Sequence, residues 1–529
     1  MLGILVFLGV PTLFYWSGYD LTQIGVDSQY LNLEIIYDYY SGTNTNTRPH
    51  NRCHGEGRIV GGVPGFYVFD KIWYKSGEFY IFTDQPDQIT LPLLTAISSG
   101  SNPIRIRPSS ESPVLQSSKQ RKAHKERKEV MRCYLDETIW MNTGVPSFSV
   151  PLDDPLNSVM EPLVEEDGLN RRSRIAKQFN WEFHHYHFLA ESLLGIASLE
   201  ITRHIYGHPS ISQEGKDVDQ QQALHDVTGH QYGYDVDREM IDKQWLVIPW
   251  EEEWKDQYGL NEPIVSGLFH NHFVDSRKWN ETTLDDNWIG FERVVIVDRW
   301  SSQMHNPQAI QWNKMALDIF NLLPSSSASS QSLEVEPMFS PYRDKFLDYM
   351  DIQSLHRSKA GTALHPLPKI VYVDRQSSSR TLLPDDHEGL IGILDDLTEK
   401  GIAECVVGKL EEMKYKDQIG LFADADIIIG VHGNGLTHQM WMAPGGMVIE
   451  IFPPGVFLRD YQLIAQVVGH EHIAILNSRI YTRQEWENEP DKLLASHPDE
   501  ANDRNITLSQ GFIEDLLYLK ANYQVDVVK

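Results

Sequence analysis

A strand that breaks into a glycine-rich turn and then restarts as a helix leaves a chain few folding options, and residues 424–438 spell that unit. Ile427, Ile428, Ile429 and Val431 form an apolar run of strand length, the pattern of a parallel strand covered on both faces. His432, Gly433, Asn434 and Gly435 follow as a tight turn, and a helix is expected to start at Leu436 and Thr437. Glycines let the backbone approach a ligand closely, and the free N–H groups of a helix start favour negative charge. The unit reads as a phosphate cradle, half of a nucleotide site. A second apolar run over 447–451 follows the turn at Pro444, Gly445 and Gly446 and carries Glu450 near its end.

Around this unit the pattern alternates. Strands are expected at 369–373, 403–407, 427–431, 447–451 and 472–476, and helices at 388–400, 415–423 and 460–468. Alternation with short turns implies a doubly wound parallel sheet, which binds ligands at the carboxyl ends of its strands. Arg375, His432 and Glu450 all fall at or just past such ends. Upstream, 179–205 reads as a long helix, 292–298 as a buried strand, and 66–69, 72–74 and 79–82 as short aromatic strands. The expected architecture is α/β, with two Rossmann-like domains facing a central cleft. Residues 21–360 would form the acceptor-side domain, with flexible insertions at 98–130 and 324–340, and 361–529 the nucleotide-binding domain.

Composition narrows the partners. A formal charge of -28 over 529 residues disfavours nucleic acid and anionic lipid surfaces, leaving a substrate held in one local basic pocket. The basic run at 119–128 reads as a solvated helical face within an insertion. Three cysteines, Cys53, Cys133 and Cys405, permit at most one bridge, and Cys53–Cys133 is the pair that stays within the N-terminal half. Residues 2–19 are apolar and uncharged, compatible with a signal anchor, a cleaved signal or a buried strand. The sequons at Asn280 and Asn505 are compatible with a secretory lumen.

Two constellations carry the chemistry. Arg375 and Arg380 sit in and after a strand-end loop, where arginine suits bidentate phosphate recognition. His184, His185, His187 and Glu191 open an aromatic-rich helix, and His187 and Glu191 share a face at a spacing of four. A glutamate or histidine there suits a general base, and a structural histidine cluster is the alternative. The spacing is not that of a zinc site, so no metal is expected. Asp424 and Asp426 precede their strand, at the end away from the expected crevice, and read as a helix-to-strand turn. Asp235 and Asp237, the 270–272 tripeptide and the histidines at 470 and 472 are set aside as unspecific.

Taken in order, Val371 to Arg375 with Arg380, Gln418, the run 425–438 and the run 444–450 resemble glycosyltransferase family 61, most clearly over 369–475. The group includes plant xylosyltransferases and the EGF-domain O-GlcNAc transferase. The resemblance implies a GT-B-type fold, inverting transfer of GlcNAc or a pentose such as xylose from a UDP-sugar to a glycan or protein hydroxyl, and a secretory-pathway location with type II topology. It further implies that Arg375, Arg380 and the turn from His432 through Gly433 and Asn434 to Gly435 contact the donor diphosphate. Donor-site candidates are thus Arg375, Arg380, His432, Gly433, Asn434, Gly435, Leu436, Thr437 and Glu450, and base candidates Glu191, His187 and His185. No cofactor is required on this reading, and a divalent metal is possible but not expected. The alternative is a catalytically inactive nucleotide- or sugar-binding protein on the same fold. An epimerase would need a dinucleotide fingerprint, which the chain lacks.

Overall fold

The computed structural model describes residues 53–86, 104–113, 131–142, 185–197, 241–249, 254–298, 339–353, 367–453, 459–485 and 506–528, apart from a few positions inside these stretches. The apolar segment 2–19, the basic run 119–128, the serine-rich run 324–332, His184, Asp235, Asp237 and the sequon at Asn505 lie outside them. Among the described residues no helix is long and apolar enough to cross a membrane.

The first sheet has eight strands, β1 (Arg58–Val63), β2 (Phe66–Lys75), β3 (Glu78–Thr83), β4 (Ile104–Pro108), β5 (Met131–Asn142), β6 (Trp245–Val247), β7 (Phe273–Val274) and β8 (Trp288–Asp298). Their order is β4-β3-β2-β8-β5-β6-β7, with β1 also on β2. From β8 through β5 and β6 to β7 the pairing is parallel, whereas β2 runs antiparallel to β1, β3 and β8. β3 and β4 also pair in parallel, so the antiparallel pairings all involve β2, and the run β8-β5-β6-β7 is the part with the form expected of a Rossmann-like half. The two short aromatic strands expected over 66–74 are one strand, and β4 lies inside the segment 98–130.

β8 occupies the middle because it can be buried on both faces. Val295 and Val297 join one core cluster while Val294 and Ile296 join another. The second cluster is aromatic, built from Tyr74, Phe79, Trp140 and Phe291, with Trp279 supplied by the Ser276–Thr283 helix. Asp70 and Arg293, partners in register on β2 and β8, form a buried two-pronged ion pair at 2.7 and 3.1 Å. Cys53 and Cys133 are disulfide-bonded against Trp73 and Phe82.

The second sheet is β9 (Lys369–Val373), β10 (Glu404–Gly408), β11 (Ile427–Val431), β12 (Met447–Ile451), β13 (Glu471–Leu476) and β14 (Arg479–Tyr481), in the order β10-β9-β11-β12-β13-β14. All pairs are parallel except the final hairpin. In chain terms the parallel strands run 2-1-3-4-5, a doubly wound order whose switch point lies between β9 and β11. One face is covered by the Pro384–Glu399 and Gln510–Val528 helices. The other carries Val371, Val373, Ile428 and Val448 and packs under the Tyr415–Ala423 and Asp460–Val468 helices.

That second face is not a separate core. The cluster that contains Val371 and Ile428 also contains Phe66, Val68, Ile139 and Val295 from the first sheet, joined through the helices between them. Arg343, on the Ser340–Tyr349 helix, is fully enclosed at this junction. It donates to the carbonyls of Trp441 (2.7 Å) and Ala423 (3.3 Å), which end two other helical segments, and pairs with Asp344. A cation at two helix C-termini satisfies orphan carbonyls and opposes both dipoles.

Replacing that cation by an apolar chain of similar length removes its hydrogen bonds to two buried helix-end carbonyls. Arg343→Met is expected to lower unfolding free energy by about 3 kcal/mol, read from urea denaturation. A loss below about 1 kcal/mol would mean that the junction does not depend on it.

Candidate functional site

At the switch point β9 and β11 are paired in register to Val373 and Gly430, and the chain leaves their carboxyl ends for opposite faces of the sheet, opening one crevice. β9 ends at Val373 and turns through Asp374, whose carboxylate accepts the N–H of Gln376 (2.9 Å) and so folds the loop carrying Arg375. β11 ends at Val431, and the His432 N–H continues the ladder by donating to Ile451 (2.9 Å). Both arginines then meet the other lip of the crevice. Arg375 Nη1 donates to the His432 carbonyl at 3.1 Å and Arg380 Nη1 to the same oxygen at 3.4 Å.

Gly433 is what allows this contact. A Cβ on it would lie 1.0 Å from Arg375 Nη1, so any side chain would take the place of the guanidinium. Gly435 lies equally close to β9, where a Cβ would meet Val373 Cγ1 at 2.7 Å. Arg375 is half-buried, and its other hydrogen bond goes to Ser378 Oγ (3.3 Å). Among the described residues no carboxylate lies within ion-pair distance of it. Burial is the main influence that lowers the Arg375 pKa, and the neighbouring Arg380 adds to it. Tyr461 and Glu411 act in the opposite direction without bonding to it; a desolvated cation with no directly bonded carboxylate is costly, and an anion in the crevice would relieve that cost.

The expected helix after the turn is a 3-10 helix, Asn434–Trp441. Its tighter winding fits the buried run that follows, since Leu436 and Thr437 are fully enclosed. The Leu436 side chain belongs to the core, and its N–H is used by Gly433 (2.9 Å). Thr437 donates to Asn434 Oδ1 at 3.2 Å. Of the turn, Asn434 and Gly435 remain half-exposed at the crevice.

Glu450 is wholly buried behind the crevice rather than lining it. Its Oε1 contacts His432 Nδ1 at 2.5 Å and its Oε2 contacts His472 Nε2 at 2.6 Å. His472 is a site residue that the sequence reading passed over. Alternation on β13 gives the signal, because His472 and Ala474 share the face to which Glu450 belongs in the parallel register. Tyr461 was also missed. Its ring meets His432 edge-on at 5.2 Å and Tyr186 at 5.5 Å, linking the crevice to the helix that begins near His185.

That helix departs from the expected α form. Residues His187–Leu193 form a π-helix that continues as Leu194–Ala197; such wide turns are frequent at functional sites. His185 is enclosed, with Nδ1 held by Asn261 Oδ1 at 2.9 Å and Nε2 facing the Tyr415 hydroxyl at 3.5 Å. Burial lowers its pKa. Both nitrogens are engaged in the interior, so His185 serves to seat the helix. His187 and Glu191 lie on the π-helical backbone, and their side chains are outside the described residues. Gln418 has an interior role too: its Nε2 donates to Leu410 and Met413, and its Oε1 accepts from His438. Asp426 accepts the Lys369 N–H at the amino end of the sheet, away from the crevice.

A sequence model of the family described as Glycosyltransferase 61 matches residues 185–449. This span runs from the seated helix to β12 and takes in both arginines and the glycine turn. The chain is also similar to a beta-1,2-xylosyltransferase of Arabidopsis thaliana, with 40% identity over 85 residues. That stretch is 16% of this chain and 16% of the relative, so the chain spans far less than the whole of that enzyme.

Gly433→Ala is expected to displace the Arg375 guanidinium while leaving the buried sheet intact. Affinity for UDP, the nucleotide that the resemblance implies, should fall about 10- to 100-fold, the worth of a charge-assisted hydrogen bond, in a protein that stays folded but melts lower because a side chain is strained at φ +156°. Calorimetric titration beside a melting curve checks this; undiminished affinity would show that Arg375 does not serve the nucleotide.

Proposed function

Since the chain belongs to glycosyltransferase family 61, we propose that it is an inverting transferase moving a sugar, xylose or N-acetylglucosamine, from a UDP donor to a hydroxyl of a glycan or glycoprotein. The observation that carries this reading is the convergence of Arg375 and Arg380 on the His432 carbonyl beside Gly433, with no carboxylate among the described residues close enough to Arg375 to bring it a directly bonded negative charge. A diphosphate supplies that charge. The 16% of the chain that matches a beta-1,2-xylosyltransferase supports xylose as the first donor to test.

In this mechanism the donor diphosphate lies in the crevice at the ends of β9 and β11. The acceptor hydroxyl attacks the anomeric carbon from the opposite side, the glycosidic bond to the UDP oxygen breaks, and the sugar inverts. Glu191 or His187 takes the hydroxyl proton, from a helix seated against the crevice through Tyr186 and Tyr461. Arg375 and Arg380 take up the charge that grows on the departing UDP. Because they are already held in place, little reorganisation accompanies the reaction, and such preorganised stabilisation is commonly the largest catalytic contribution. The two sheets would act as the halves of a GT-B arrangement, the first presenting the acceptor. The Cys53–Cys133 bridge suits an oxidising lumen, in line with a secretory-pathway location, in the Golgi or endoplasmic reticulum, for which residues 2–19 would supply the signal or anchor.

The test is UDP release from UDP-xylose and UDP-N-acetylglucosamine against a panel of glycan and glycoprotein acceptors. Arg375→Ala and Arg380→Ala are each expected to lower kcat/KM by about 10²- to 10³-fold while the protein stays folded. Full turnover in both variants would place the leaving group elsewhere. With two arginines supplying positive charge, activity is expected to persist in chelator, and complete loss there would require a metal-bound diphosphate instead. Nucleotide binding without any transfer would point to an inactive binding protein.

A further inference from the structure

Glu450 and its two histidines lie directly behind the crevice, and their geometry fixes a proton count. Each oxygen of the buried carboxyl faces one ring nitrogen, Oε1 to His432 Nδ1 and Oε2 to His472 Nε2, at 2.5 and 2.6 Å. Each contact needs one hydrogen between its heavy atoms. The His432 ring is further held by Phe452, stacked at 5.4 Å, and by the edge of Tyr461. Its Nε2 has no hydrogen-bond partner among the described residues, yet it is not one of the polar atoms sealed from solvent. The backbone oxygen of the same residue receives both arginines. His432 is therefore gripped on one side and open on one ring nitrogen, next to the groups assigned to the diphosphate.

We propose that a single proton shared between Glu450 and His432 leaves Nε2 of His432 protonated, and that this N–H is a third hydrogen-bond donor to the diphosphate of the UDP-sugar. The proposal rests on the donor-site reading above and deepens it. In the resting arrangement the Glu450 carboxyl donates to His432 Nδ1, while the His472 Nε2–H donates to the other oxygen. As negative charge gathers on the departing phosphate, the proton passes from Glu450 to Nδ1. The ring becomes an imidazolium and Nε2–H a stronger donor; no proton is exchanged with water. His432 would touch the substrate, whereas Glu450 and His472 are positioning residues.

The surroundings favour this count. Burial is the largest influence on all three groups, raising Glu450 well above the usual carboxylate range, lowering His432 well below that of histidine and bringing His472 to about 3. Asp460 also raises Glu450, while Arg380 lowers it. Arg380, Arg375 and His472 further lower His432, and Arg459 further lowers His472. Tyr461 is pushed up by its own burial and stays neutral. An enclosed acid beside two neutral imidazoles carries the least charge into the interior.

The sign of the pH dependence follows. Nε2–H exists only while the pair keeps its proton, so donor affinity is held at neutral pH and falls as pH rises through the pair's titration. Glu450→Gln provides the decisive variant. A glutamine amide can donate to Nδ1 and accept from His472, imitating the protonated acid with nothing to titrate.

Calorimetric titration with UDP-xylose and UDP-N-acetylglucosamine, whose phosphates keep one charge each over this range, would be run from about pH 6 to about pH 9 on wild type, Glu450→Gln and Glu450→Ala. Wild type is expected to weaken on the alkaline side. Glu450→Gln should bind as the wild type does at neutral pH and show no alkaline weakening. Glu450→Ala should bind about tenfold or more weakly throughout. Weak binding by a folded Glu450→Gln, or an alkaline limb that survives in it, would overturn the proposal alone. Failure of wild type to bind either sugar nucleotide, or binding indifferent to Arg375→Ala, would remove the donor site and this proposal with it.

Discussion

The two sheets of this protein share one apolar cluster, and the crevice exists because that cluster is continuous. Phe66 and Val295 on one side and Val371 and Ile428 on the other belong to the same packed body, with helices between them. A parallel sheet must be covered on both faces, so β9, β11 and β12 cannot leave their inner face to solvent. Covering it with helices that also cover the first sheet brings Tyr186 within ring contact of Tyr461, and Tyr461 within ring contact of His432. Close-packed interiors transmit small displacements, so the helix that carries the candidate base is placed by the same contacts that place the glycine turn.

Several buried polar side chains each tie two elements of this body together. Arg343 meets the ends of two helical segments, His185 meets Asn261 and Tyr415, and Gln418 meets two carbonyls and His438. Each fixes one element against another, since an enclosed polar group tolerates only the arrangement that satisfies it. Arg375 is the contrast. It bonds a hydroxyl and a carbonyl but no carboxylate, and that imbalance marks the crevice.

Much of the second sheet was legible because its strands are buried on both faces and so appear as uninterrupted apolar runs. Residues 369–373, 427–431 and 447–451 were read with the bounds that the structure gives, and so were the helices at 415–423 and 460–468. The tight turn after β11 was legible too, because Gly433 and Gly435 leave a local trace. His472 was not, as its contact with Glu450 depends on which strands are neighbours, and the Gly469 to His472 stretch looks locally like a turn. The tighter winding of Asn434–Trp441 and the wider winding of His187–Leu193 follow from packing, which periodicity cannot report. In the first sheet the central place of β8 was out of reach, since its partners lie more than a hundred residues upstream.

That placement also bears on the order in which the molecule can be assembled. β2 and β5 are both synthesised well before β8, yet β8 lies between them. A growing chain thus reaches residue 142 holding two strands that flank a slot one strand wide, and pairing across such a sequence separation is slow. Cys53 and Cys133 are both present by then, and their bridge joins the start of β5 to the segment that leads into β1. In the folded protein the disulfide thus joins, by a covalent link, the two sides of the slot that β8 fills.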